Sequence, residues 1–125
     1  MKKIIHTERA PGAVGPYSQA IEHNGMLFVS GQIGLDPVTG KIVQGGIREQ
    51  TGQVLKNIDG ILAAAGYTKQ NVVKCTCLLK DMDHFREMNA VYAGYFEKDP
   101  PSRAAFQVAG LPMDALVEIE AVAMK

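Results

Sequence analysis

The chain has no tryptophan, only two cysteines, and no net charge: 13 Lys plus Arg against 13 Asp plus Glu in 125 residues. Charge neutrality argues against a general binder of phosphate backbones, which needs an electropositive face. Cys75 and Cys77 stand at i and i+2, so on a strand they share one face about 7 Å apart along the chain. That suits two small buried residues better than a disulfide. No Cys/His cluster has zinc spacing, and His6, His23 and His84 are scattered, so no metal site is expected. No apolar run approaches the roughly 20 residues of a membrane span. The start "MKKIIHTERA" is basic but carries no apolar core behind it, so no secretory leader is expected and the location reads as cytoplasmic. Nucleotide and hydrolase signatures are missing too. "GQIGLDPVTG" lacks the Gly-Lys-Ser/Thr ending of a phosphate loop, and there is no dinucleotide fingerprint, nucleophile elbow or histidine pair for ribonuclease-type acid–base work.

What is present is an ordinary globular balance, 46% hydrophobic and 21% charged, and a length suited to one domain spanning residues 1–125. "APGAVGPYSQA" reads as a Gly/Pro-rich loop. Two runs follow, separated at Asn24-Gly25, a hairpin signal because both residues tolerate positive φ. The second, "MLFVSGQIGL", ends in the turn "DPVTGK". From Gly46 to Ala65 the apolar residues recur at helical spacing, and Gly66 supplies a stop. "NVVKCTCLLK" reads as a strand, and a second helix is expected over about 83–96, with Phe85, Met88, Tyr92, Tyr95 and Phe96 forming its stripe. Pro100-Pro101 forces an extended exit. Two final strands are expected at about 103–109 and 115–123. The order is two strands, helix, strand, helix, two strands. That predicts a two-layer α+β fold with both helices on one face of a sheet.

The faces of the strands carry a further expectation. Val73, Cys75, Cys77 and Leu79 should meet the helices, as should Val117, Ile119 and Ala121. The opposite faces are mixed: Met26, Phe28, Ser30 and Gln32 on one strand, Leu116, Glu118, Glu120 and Val122 on another. Two helices cannot cover both sides of a sheet, and this second face is too apolar to be left to water. It is therefore expected to be buried against other subunits, with its polar residues in or near subunit clefts.

Arg103 is the first candidate for chemistry. It follows two prolines that restrict the backbone, and its planar fork suits a carboxylate or phosphate; a solvated strand-end charge is the plainer alternative. Glu118 and Glu120 lie together on the mixed face. Strands 103–109 and 115–123 are expected to pair as a hairpin, which would bring Arg103 toward this carboxylate pair, as an ion pair or as a site. Asn89 lies inside the apolar stripe of the second helix, so its amide needs partners, either structural or a ligand. Ser30-Gly31 interrupts a strand where glycine permits close approach of a backbone or ligand. Tyr17 is presented by the stiff "GP" turn.

Together, "GPYSQA" (15–20), "FVSGQIGLDPVTG" (28–40), "MNAVY" (88–92) and "PSRAAFQVAGLPMDALVEIEA" (101–121) closely resemble the reactive-intermediate deaminase family, also called RidA or YjgF. The resemblance covers essentially the whole chain. It implies a chorismate-mutase-like α+β fold with a mixed six-stranded β-sheet, and a homotrimer with three inter-subunit clefts. It also implies hydrolysis of enamine/imine acids, such as 2-aminoacrylate and 2-aminocrotonate, to 2-keto acids and ammonia (2-iminobutanoate/2-iminopropanoate deaminase activity), without metal or cofactor. Carried over by position, Arg103 grips the substrate carboxylate, and Glu118 orients or activates the attacking water. Tyr17, Ser30, Gly31 and Asn89 line the cleft. Ala105 departs from the family, because many relatives have cysteine there, so a thiol role at that position is not open to this chain. Two other readings stand beside this one. The first is a non-catalytic module binding small carboxylates. The second is an endoribonuclease or translation inhibitor, which the zero net charge and the missing histidine pair disfavour.

Overall fold

The computed structural model describes residues 1–125. Six strands and two helices follow in this order: β1 (Lys3–Ile5), β2 (Ala20–His23), β3 (Met26–Ile33), α1 (Ile47–Ala64), β4 (Val72–Leu79), α2 (Phe85–Tyr95), β5 (Ser102–Gln107) and β6 (Val117–Met124). All six strands join one sheet in the order β1-β2-β3-β6-β4-β5, antiparallel throughout except for the parallel pair β4–β5. β2 and β3 form the expected hairpin, with His23 opposite Met26 and both turn residues at positive φ (Asn24 50°, Gly25 73°). β1, only three residues long, has no counterpart in the pattern read from the chain.

α1 runs from the Gly46 cap to Ala65, and Gly66 at φ 80° follows as the stop. Its buried side carries Ile47, Val54, Leu55, Ile58, Ile61 and Leu62. These pack with Met88 and Tyr92 of α2 and with Phe96, which caps it, onto Leu27, Val29, Cys75, Cys77, Leu79, Val117, Ile119, Ala121 and Ala123. Buried polar residues on α1 serve the sheet ends, where backbone groups would otherwise lack partners. Asn57 Nδ2 donates to the carbonyls of Ile33 (3.2 Å) and Leu35 (3.0 Å), and the amide of Leu116 donates to Gln50 Oε1 (2.9 Å). The amide of Leu116 is thus pinned just ahead of β6.

Three sequence expectations are corrected. β5 and β6 do not form a hairpin: β6 lies between β3 and β4, so β4 separates it from β5. The alternation explains this order. Val117, Ile119, Ala121 and Ala123 make β6 suitable for a central strand, whereas every residue of β5 except Ala105 is exposed, as at an edge that begins after two prolines. The chain passes from β5 to β6 across the end of β4, through backbone bonds from Val108 N to Leu79 O (2.9 Å) and from Lys80 N to Leu116 O (3.0 Å). Val73 is exposed and Val72 buried, because the β4–β6 register shifts between Val72 and Lys74. Gln32 is buried on the helix side, because a bulge between Val29 and Gln32 shifts the β3–β6 register.

The face away from the helices carries Ile21, Phe28, Leu78 and Val122 with Thr76, Glu118 and Glu120 among them. Phe28 and Phe106 are exposed to 44% and 48%, so the mixed face is open in the isolated chain.

Candidate active site

Arg103 stands one residue into β5, in register with Cys75 of β4, and so points to the helix side of the sheet. There α2 receives it. Nη1 donates to Asn89 Oδ1 at 2.7 Å, and the guanidinium carbon lies 4.9 Å from the Tyr92 ring centre and 5.4 Å from that of Phe85. Residues 85, 89 and 92 follow one another on one helix face, so about two α-helical turns supply both rings and the amide. No carboxylate comes within ion-pair distance of Arg103. Its fork is held on one side and free on the other, beside an open groove of about 570 Å³ bordered by Asn89, Tyr92, Ala93, Pro100 and Pro101. A fixed, solvent-facing guanidinium without an acid partner has the geometry and charge that suit an anionic oxygen pair.

Glu118 belongs to the other face. It lies on β6 between Ile33 of β3 and Leu78 of β4, and it is half-buried. Burial holds its carboxyl above the usual carboxylate range, and the charge of Glu120 adds to the shift. The β3 bulge beside it contains Ser30 and Gly31. Ser30 is fastened to the preceding loop twice: its Oγ donates to Ser18 O at 2.6 Å and its amide to Gln19 O at 2.9 Å. Tyr17, next to Ser18, is 51% exposed.

The expected site residues therefore form two groups. Arg103 and Asn89 touch one another on the helix side. Ser30, Gly31 and Glu118, with Tyr17 tied on through Ser18, gather on the opposite side. β4 and the thickness of the sheet keep the groups apart within one chain, so the expected approach of Arg103 to Glu118 and Glu120 does not occur.

Two contributions were not singled out from the chain. Phe85 and Tyr92 read only as core, although their spacing around Asn89 carried the signal of a platform. Gln19 is buried and holds the first loop together. Its Nε2 donates to Thr7 O (2.9 Å) and Pro11 O (2.9 Å), while its Oε1 accepts from Thr7 N (2.7 Å). Nothing in the surrounding sequence announces that role. The thiols are inert by position. Burial raises both, with Cys77 pushed up to about 12.

Known proteins resemble this chain along its whole length. A RutC family protein of Pyrococcus horikoshii is 55% identical over 125 residues, covering 100% of this chain and 99% of its own. The mouse 2-iminobutanoate/2-iminopropanoate deaminase is 50% identical over 125 residues, covering 100% and 93%. The crystal structure of E. coli TdcF with bound serine superposes with a TM-score of 0.95 at 40% identity, covering 98% of each chain. The family described as Endoribonuclease L-PSP matches residues 7–125. With that match and these relatives, the chain belongs to the endoribonuclease L-PSP family, the RidA/YjgF family that its motifs resemble.

Proposed function

We propose that the protein is a 2-iminobutanoate/2-iminopropanoate deaminase that converts small enamine/imine acids to 2-keto acids and ammonia. The observation that carries the reading is the Arg103 fork, fixed by Asn89 and two rings yet free of any acid partner. The relatives support it: the mouse protein is named for that activity, and TdcF holds serine, a small α-amino acid. The separation of the two residue groups on opposite sides of the sheet argues for a site shared between copies. In a homotrimer of the chorismate-mutase-like type, the open mixed face of one subunit covers apolar residues and offers Glu118, Ser30 and Tyr17 to the Arg103 edge of the next.

In such a cleft Arg103 binds the substrate carboxylate through a charge-assisted pair of bonds, which fixes the imine carbon. Once the enamine has tautomerised to the imine, Glu118 takes a proton from water as the water oxygen bonds to that carbon and the C=N π electrons move to nitrogen. The carboxyl then returns the proton to that nitrogen to give the carbinolamine. The carbinolamine then loses ammonia: its hydroxyl proton leaves, the C=O bond forms and the C–N bond breaks, with nitrogen leaving protonated. Burial raises this carboxyl above its usual range, which favours its returning the proton it has accepted; general acid–base help of this kind is typically worth about 10²- to 10⁴-fold. Ala105 supplies no thiol, and none of these steps uses one.

The test is to generate 2-aminoacrylate in place with a serine dehydratase and to follow pyruvate. The expected result is faster pyruvate formation with the protein present, lost in Arg103→Ala. No acceleration by the wild type overturns the reading, and carboxylate binding without turnover identifies a binding module instead.

A further inference from the structure

The reason for glycine at position 31 is not its backbone conformation. Its φ lies outside the left-handed region, unlike Gly25, Gly40, Gly45 and Gly66, so any residue could adopt its conformation. What excludes a side chain is Glu118. A Cβ added to Gly31 would overlap Glu118 Oε2, lie 2.8 Å from Glu118 Cδ and 3.1 Å from Cγ. Three successive atoms of one side chain therefore lie over the Cα of Gly31. The bulge creates this arrangement. Val29 pairs with Ala121 and Gln32 with Ile119, so Ser30 and Gly31 together face the single residue Glu120, and the strand bends under the Glu118 carboxyl.

From this contact we propose that Gly31 is a positioning residue for Glu118: the missing side chain at position 31 sets where the Glu118 carboxyl lies. The proposal deepens the deaminase reading and rests on it. The group that would collide with a new methyl is the far end of a flexible side chain, not backbone. Gly31→Ala is therefore accommodated by rotation of Glu118 and leaves the sheet intact. The carboxyl is displaced, while the Arg103 that shares the proposed cleft comes from the neighbouring subunit and keeps its own hold on Asn89, Tyr92 and Phe85. Loss should therefore fall on kcat and not on KM.

The experiment compares Gly31→Ala, Glu118→Ala and the double variant in the 2-aminoacrylate assay, together with a crystal structure of Gly31→Ala. Gly31→Ala is expected to lower kcat by about 10- to 100-fold, the scale of a misplacement near 1 Å, with KM within about twofold. In the Glu118→Ala background it should cost nothing further, because the two residues act as one unit. Losses that multiply, or an unchanged kcat, overturn the proposal. The crystal structure decides independently of activity: a Glu118 carboxyl in its original place overturns it, and a displaced one supports it even if the wild type proves inactive. If Gly31→Ala does not fold, the double variant takes over. Folding of the double variant alone supports the contact, and failure of both overturns it.

Discussion

At the scale of single residues, the proposed site depends on one guanidinium held by three neighbours. Arg103→Lys keeps the charge but loses the fork and the stacking on Tyr92, so kcat/KM should fall by about 10- to 100-fold, the range expected for lost charge-assisted hydrogen bonds. Asn89→Ala should fall by less, through a looser Arg103, and steady-state kinetics on both variants checks the order. Glu118 allows a test with opposite signs. Its folded-state carboxyl titrates above its unfolded value, so the protonated form carries the stability, which is present at low pH and is lost as pH rises through the raised value. Glu118→Gln should therefore melt at or above the wild-type temperature at pH 7, gain nothing at pH 4, and lose about 10²- to 10⁴-fold in kcat. Thermal melts at both pH values with parallel assays measure this.

At the scale of elements, stability resides in the layer between α1 and the sheet. Ile58 is fully buried there, so Ile58→Ala should cost about 2–5 kcal/mol in urea denaturation, while the Asn89 and Arg103 variants stay near wild type. α1 was legible because its apolar residues keep the 3.6-residue period between a glycine start and a glycine stop, all local information. The β2–β3 turn was legible for the same reason, through Asn24-Gly25. The position of β6 was not. Strand order depends on which distant edges meet, and the short link "GLPMD" invited a hairpin that the chain avoids by crossing the end of β4. The faces of β4 and β3 were misread at Val73 and Gln32 alone, at the two register shifts, since strict alternation has no way to register one extra residue. Arg103, Asn89 and Glu118 could be picked out individually by type and motif, but their division between two sides of the sheet needed the strand order.

At the scale of the molecule, an open face bearing Phe28, Leu78, Val122 and Phe106 calls for a cover, and the proposed trimer supplies one. Val122→Glu should give a folded monomer without deaminase activity, read by light scattering and circular dichroism. A monomer with full activity would sink the shared site. Complementation gives a second measure. Arg103→Ala and Glu118→Ala proteins, each inactive alone, should regain activity when unfolded and refolded together, because about one cleft in four of a random mixture draws an intact residue from each chain.

The central place of β6 has a consequence for how the chain reaches its fold. Residues 117–124 are the last strand in sequence, yet they are the only link between the β1-β2-β3 half of the sheet and the β4-β5 half. Until they arrive, β3 and β4 each present an unpaired edge, and cooperative closure must wait for contacts that are distant in the chain. A ribosome-bound intermediate shorter than β6 would be two half-sheets with adhesive rims. Mutations that weaken β6 should therefore show first as aggregation during synthesis, before they lower the melting temperature of the finished protein.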